Sequence, residues 1–286
     1  MRLTFILAHA GHHHLDPATV LRWWSWEPFV VASLLASAAL YAGGLARNSH
    51  IVKRWQAWMF AAGWLTLVVA LISPVDVLGG ILFSAHMAQH ELLMIVAAPL
   101  IVLGRPLVVM LWALPAAWRG RFGWAFGNAC WNSAAATALF HAAALWMWHV
   151  PALYEATLRS DFVHALQHIS FFFTATLFWW ALIHGRYGRL GYGAAVVYVF
   201  VTAGHSGALG ALITFAPDLW YPIYGARTAA WGLSPIEDQQ LAGLIMWIPA
   251  GALFTILGIA LFAAWLGEAE RRVALTRSES LRKEES

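Results

Sequence analysis

The chain has 286 residues, 61% of them hydrophobic and only 11% charged, against roughly 25% charged in an average soluble domain. A soluble protein of this size could bury a large core, but 17 basic and 14 acidic residues are too few for its polar skin. This composition excludes an ordinary cytosolic enzyme and a disordered chain, and a single cysteine, Cys130, excludes an internal disulfide framework or a CxxC metal clip. Only helices and closed barrels satisfy their backbone in lipid. Barrel strands alternate over about 10 residues, whereas the apolar runs here do not alternate and are about twice as long. The expectation is an all-α, polytopic membrane bundle.

Residues 1–28 form an outer N-terminal segment. Leu3 to Ala8, followed by His9-Ala10, resembles the start of a secretory signal but is short for one, and it does not span. A spanning helix needs about 20 mostly apolar residues. Seven segments are predicted to meet this: Phe29–Leu45, Trp55–Ser73, Ile81–Leu103, Cys130–Val150, Phe162–Ile183, Tyr192–Phe215 and Leu241–Leu266. The membrane domain thus covers 29–266, and 267–286 form a charged tail. Small residues (Ala32, Ser33, Ala36 and Ser37 in the first segment; Gly204, Gly207 and Gly210 in the sixth) mark faces where helices can approach closely. Pro106–Trp118 is apolar but short and interrupted by Pro115, so it reads as an interfacial or re-entrant helix.

The basic residues orient this arrangement. With seven helices, thirteen Lys/Arg fall on one side, in the loops near 46–54, 104–128 and 184–191 and in the tail, and four fall on the other. The positive-inside rule then places the N-terminus outside and the C-terminus in the cytoplasm of an inner or plasma membrane. The net charge of +3 reflects this asymmetry, and no nucleic-acid partner is expected. Eight acids, among them Asp16, Glu27, Asp76, Asp161 and Asp238, face the outer side and would attract cations.

Thirteen histidines stand out because ionisable groups at membrane depth are costly. His86-Met-Ala-Gln-His90 and His164-Ala-Leu-Gln-His168 each place two imidazoles at i and i+4, on one helix face. Two such pairs at the same outer depth, with His149 near the same plane, could supply four or five nitrogens to one metal site, or two to each of two. Met94 continues the His86/His90 face by one turn, and its thioether, like imidazole, suits copper. Gln89 and Gln167 could orient the ligands. Glu91 needs a partner or water. It does not form HExxH, because the second His is missing. His141 and His205 lie deeper and fit either function or interhelical packing. Met246, near Pro249, and the outer Asp238 are further candidate ligands. His12–His14 could collect metal loosely or do nothing.

These residues together carry a resemblance. His86-Met-Ala-Gln-His90 followed by Leu92–Leu103 and Gly104, Trp148-His149-Val150-Pro151-x-x-Tyr154, His164-x-x-Gln167-His168 and Asp238-Gln-Gln-Leu-Ala-Gly-Leu-Ile-Met246-Trp247 are similar to the caa3-type cytochrome c oxidase assembly factor family, CtaG. The motifs span about residues 75–266. The resemblance implies a seven-helix, non-enzymatic membrane protein that matures haem–copper oxidase, supplying copper to its CuB centre. It also implies an oxidase subunit, the lipid bilayer and a periplasmic copper donor as partners. Some relatives carry a fused copper-resistance membrane domain, and this sequence ends after the seventh predicted helix. Glu91 and His12–His14 are not placed by the resemblance. Three other readings stay open. One is a haem protein with axial ligands such as His141 and His205, and another is a di-metal membrane enzyme on the same histidine pairs. The third is a transporter in which His and Glu91 relay protons.

Overall fold

A computed structural model of the protein describes residues 19–127, 133–184 and 191–284. His12–His14, the signal-like start and Cys130 lie outside them. The described residues form helices and no strands. In chain order these are α1 (Pro28–Arg47), α2 (Arg54–Leu71), α3 (Pro74–Gly79), α4 (Phe83–Glu91), α5 (Ala98–Leu103), α6 (Pro106–Ala113), α7 (Ala116–Gly127), α8 (Ala134–Trp148), α9 (Pro151–Arg159), α10 (Asp161–His184), α11 (Tyr192–Thr214) and α12 (Pro235–Glu284). Short 3₁₀ turns occupy Val20–Arg22 and Pro222–Trp231.

Five of these are long and apolar enough to cross a membrane: α1, the rod formed by α4 and α5, α10, α11 and the Pro235–Ala274 part of α12. The chain is a multi-pass membrane protein. The other two predicted segments are also helical, as α2 with 18 residues and α8 with 15. Polar side chains cluster in the interior within a larger apolar core, and apolar ones cover much of the outside. Phe29, Leu35, Phe200, Ile256 and Ile259 are exposed, while His86, Gln89, His90, Gln167 and Asp238 are at most 1% exposed. Lipid rather than water covers such a surface.

The α4–α5 rod shows how one residue shapes the centre. A π segment, Leu92–Ala97, joins the two helices. There the Ala98 N–H reaches back five residues to the Leu93 carbonyl. Pro99 comes next and has no N–H to give, so the Met94 carbonyl would be left open. The Trp179 indole Nε1–H fills it from α10 at 2.9 Å. A buried backbone acceptor is thereby satisfied, and α10 is held against the rod.

Below the rod, Arg105 adopts a left-handed conformation (φ 52°) and α6 begins. Tyr41 stacks on Phe60 with ring centroids 3.6 Å apart, and its hydroxyl donates to the Gly104 carbonyl. Gly44 packs on Val109, and Arg47 donates to the Ala113 carbonyl at 2.5 Å. These contacts advance together along both helices. The segment predicted as interfacial or re-entrant therefore runs in the direction of α1 rather than doubling back along it. Ala32 and Ala36 are exposed, so close packing of α1 depends on Gly43 and Gly44 instead. In α11, Gly207 and Gly210 do pack, on Trp247, whereas Gly204 faces open space.

Glu27, Asp76 and Asp161 line one cavity, and Gln56, Arg105 and His184 line another. A close helix crossing joins α11 and α12, where a Cβ on Gly243 would lie 2.3 Å from Thr214 Oγ1 and 2.7 Å from the Gly210 carbonyl oxygen. Overpacking of this kind costs about 1–3 kcal/mol. Gly243→Ala should lower the unfolding midpoint of detergent-solubilised protein accordingly, whereas Gly258→Ala, which meets nothing within 4 Å, should leave it unchanged.

Candidate metal centre

The N-terminus of α4 leaves backbone N–H groups without helical partners. Asp238, 1% exposed near the start of α12, accepts from the Phe83 N–H at 2.7 Å, from the Ser84 N–H at 3.1 Å and from the Ser84 hydroxyl. A carboxylate in this position also faces the positive end of the helix dipole. Asp238 was a candidate ligand from the sequence. Its oxygens are instead committed to this cap, which sets the position of α4 and so of His86 and His90.

The two HxxxH pairs face each other across α4 and α10. Ring centroids are 4.4 Å apart for His86–His90, 4.1 Å for His164–His168, 5.2 Å for His86–His164 and 5.4 Å for His90–His168. Two overlapping triads result. His86, His90 and His168 can each offer an atom within 4.8 Å of the others, and so can Asp76, His164 and His168. Both are buried, and His168 belongs to each.

Hydrogen bonds fix the ligand faces. His86 Nδ1 lies 3.3 Å from the Gly79 carbonyl. A carbonyl only accepts, so Nδ1 carries the proton and Nε2 the lone pair. Nε2 then faces Gln167 Oε1 at 3.2 Å; that oxygen also only accepts, so the lone pair meets a donor only with the carboxamide turned to present its NH2, and otherwise it is left for an ion. Gln89 donates to the Ala70 carbonyl and to Asp76 Oδ1, at 2.7 and 2.8 Å, and so ties α2, α3 and α4 together. His90 differs. It is 1% exposed, and neither ring nitrogen has a hydrogen-bond partner. An orphaned buried polar atom is costly, and a metal ion would satisfy it.

His149 stands beside this cluster. Its Nδ1 donates to the Leu145 carbonyl at 2.7 Å, which leaves the Nε2 lone pair facing Met87 Sδ at 3.5 Å. The Tyr221 hydroxyl donates to the His149 carbonyl at 2.7 Å. Tyr154, fully buried, lies over His86 and shares a 2.7 Å hydrogen bond with Tyr224. These tyrosines close the site from the loop side.

A cavity of about 310 Å³ leads to His164 and His168 between α1, α2 and α10. Glu27, Asp76 and Asp161 line it above an apolar floor that includes Leu34 and Phe172. Burial, with Asp161 and then Asp76 nearby, pushes the Glu27 carboxyl above its ordinary value. Such a crowd of carboxylates favours a cation at the mouth.

The other candidates fall elsewhere. Met94 does not extend the His86/His90 face. It lines a separate small cavity with Glu91, His141 and Met246, because Glu91 and Met94 are three residues apart and the π segment breaks strict i, i+4 stacking. His205 is half-buried with Nδ1 unpartnered and takes no part in the cluster. The sequence reading did not single out Met87 or Asp76 as candidate ligands. Asp76 was legible only as an outer acid, and Met87 as nothing more than the residue after His86.

Residues 39–268 match the family described as the cytochrome c oxidase caa3 assembly factor. The chain belongs to this family. Uncharacterized proteins of Mycobacterium bovis and Mycobacterium tuberculosis are each 30% identical to it over 275 residues, covering 90% of this chain and 41% of theirs. One from Mycobacterium leprae is 27% identical over 285 residues, covering 93% and 43%. The chain thus spans about two fifths of the length of these relatives. No solved structure matches it.

The cap assigned to Asp238 separates two roles. Asp238→Ala should cost about 1–2 kcal/mol, the usual loss for a cap, measured by thermal unfolding. Asp238→Asn, which keeps an acceptor oxygen, should lose less and should bind metal as the wild type does; a ligand would lose metal in both.

Proposed function

We propose that this chain is a seven-helix assembly factor for haem–copper cytochrome c oxidase, and that copper is its cargo. The copper is held on the outer side of the cell inner (plasma) membrane by His86, His90 and His168, with His164 and His149 beside them. The observation that carries this reading is the buried, unpartnered imidazole of His90 within ligand reach of His86 and His168. Imidazole suits copper, and the Met87 thioether facing His149 adds a donor that favours Cu(I). The family and the multi-pass helices support the oxidase and the membrane as partners. The distribution of Lys/Arg supports an outer N-terminus.

On this reading the carboxylates of Glu27, Asp76 and Asp161 attract the ion to the mouth, where a periplasmic donor releases it. His164 and His168 meet it first, since both line that cavity. His168 belongs to both triads, so it can stay bound while the remaining ligands exchange from Asp76 and His164 to His86 and His90. The oxidase subunit then accepts copper by the same exchange. The chain's own part is binding, orientation and exclusion of water, with no bond chemistry, so the role is not enzymatic.

A second reading, a di-metal centre, is favoured by the two triads that share His168. Two iron ions per purified chain would select it. A haem bound through His141 is not favoured, because the cavity there is only about 20 Å³, against the several hundred that such ligands occupy. The main test is His86→Ala/His90→Ala. The variant should fold, lose copper at this site and leave oxidase maturation impaired; unchanged occupancy of a histidine-ligated copper in the purified variant would refute the reading.

A further inference from the structure

One turn below His90, a cavity of about 20 Å³ lies between α4, α8, α10, α11 and α12. That volume holds one water or one ion. Its lining includes Glu91, Met94, His141, Met246, Thr202 and Ser206. All four larger side chains are buried, and Glu91 Oε2 has no hydrogen-bond partner.

The donors around this cavity are all committed elsewhere. The Thr202 hydroxyl donates to the Tyr198 carbonyl, and the Ser206 hydroxyl to the Thr202 carbonyl. The Trp179 indole N–H is taken by the Met94 carbonyl. Thr174 uses its hydrogen on the Ser170 carbonyl, at 2.8 Å, so it accepts from His141 Nδ1 at 3.2 Å. His141 is therefore protonated on Nδ1, and its Nε2 keeps the lone pair. What remains is a carboxylate, an imidazole nitrogen and two thioethers, all electron-pair donors. A buried carboxylate facing only lone pairs is unfavourable without a cation.

We propose that this cavity is a second metal site, for Cu(I), held by Met94, Met246, His141 and Glu91. Two thioethers select a soft ion over the hard cations that carboxylates alone would take. One negative charge among neutral donors matches a monovalent ion. The site is distinct from the histidine cluster, although His90 and Glu91 are adjacent in the chain, so an ion can occupy either without the other.

The experiment is a Cu(I) titration of the purified full chain against a chromophoric Cu(I) chelator, followed by X-ray absorption of the copper-loaded protein. The wild type should bind two equivalents, with sulfur scattering. Met94→Leu/Met246→Leu, a volume-conserving change, should lose one equivalent and most of that scattering. Glu91→Gln, which keeps the shape, should weaken the same equivalent at least tenfold with an unchanged unfolding midpoint. His86→Ala/His90→Ala should retain the sulfur-ligated copper, so failure of the outer site and failure of this one are separable. Equal copper content and equal sulfur scattering in wild type and Met94→Leu/Met246→Leu would overturn the proposal, as would a Glu91→Gln protein that binds copper as the wild type does. Either result would leave the cavity holding a water beside a protonated Glu91.

Discussion

A helix that begins inside a membrane protein must find acceptors for its first N–H groups, because no bulk water reaches them. Asp238 meets this demand for α4 from a helix more than 150 residues away in sequence. The cap holds α4 against α12, and α4 carries half of the histidine cluster. Gln89 extends the restraint to α2 and α3. Trp179 repeats the principle lower down, where Pro99 cannot supply an N–H. Each case is a buried polar group whose partner comes from another helix. Without strong hydrophobic pressure between helices in lipid, such bonds decide which helices meet.

The same accounting identifies the unsatisfied places. Most buried polar side chains in the core have partners, Asp238 among them. His90 lacks one at both ring nitrogens, and one oxygen each of Gln89 and Glu91 lacks one as well. His90 and Glu91 are consecutive residues, one packed among imidazoles and the other lining a cavity with thioethers and an imidazole. One helix thus presents a mid-hardness donor set and a soft one at successive depths. On the proposed copper-carrying role, two sites of different softness would allow an ion to be kept apart from its point of delivery.

The helical class, the segment positions and the paired histidines were legible because each depends on local pattern. Apolar runs of about 20 residues announce spans, and i, i+4 spacing places His86 with His90 and His164 with His168 on shared faces in any helix. Asp238 was misread for a physical reason: a carboxylate in the sequence of a membrane protein reads as a ligand or as a cap with equal ease until its neighbours are known. Met94 was misassigned because the pattern assumes an uninterrupted α-helix, and the π segment set up ahead of Pro99 changes the angular step. Asp76 and Met87 carried no pattern at all.

By itself, the sequence determined an all-helical membrane protein with two imidazole pairs, because hydrophobic length and helical periodicity are properties of the chain alone. It also determined the charge asymmetry on which the proposal of an outer site rests. Tertiary structure decided that the two pairs share one cluster through His168, that Asp76 joins it and that Asp238 does not. It also gathered Glu91, Met94, His141 and Met246 around one small cavity. Those outcomes depend on which faces of α4, α8, α10 and α12 meet, and that is set by distant hydrogen bonds and by glycines such as Gly243, none of which leaves a local signature.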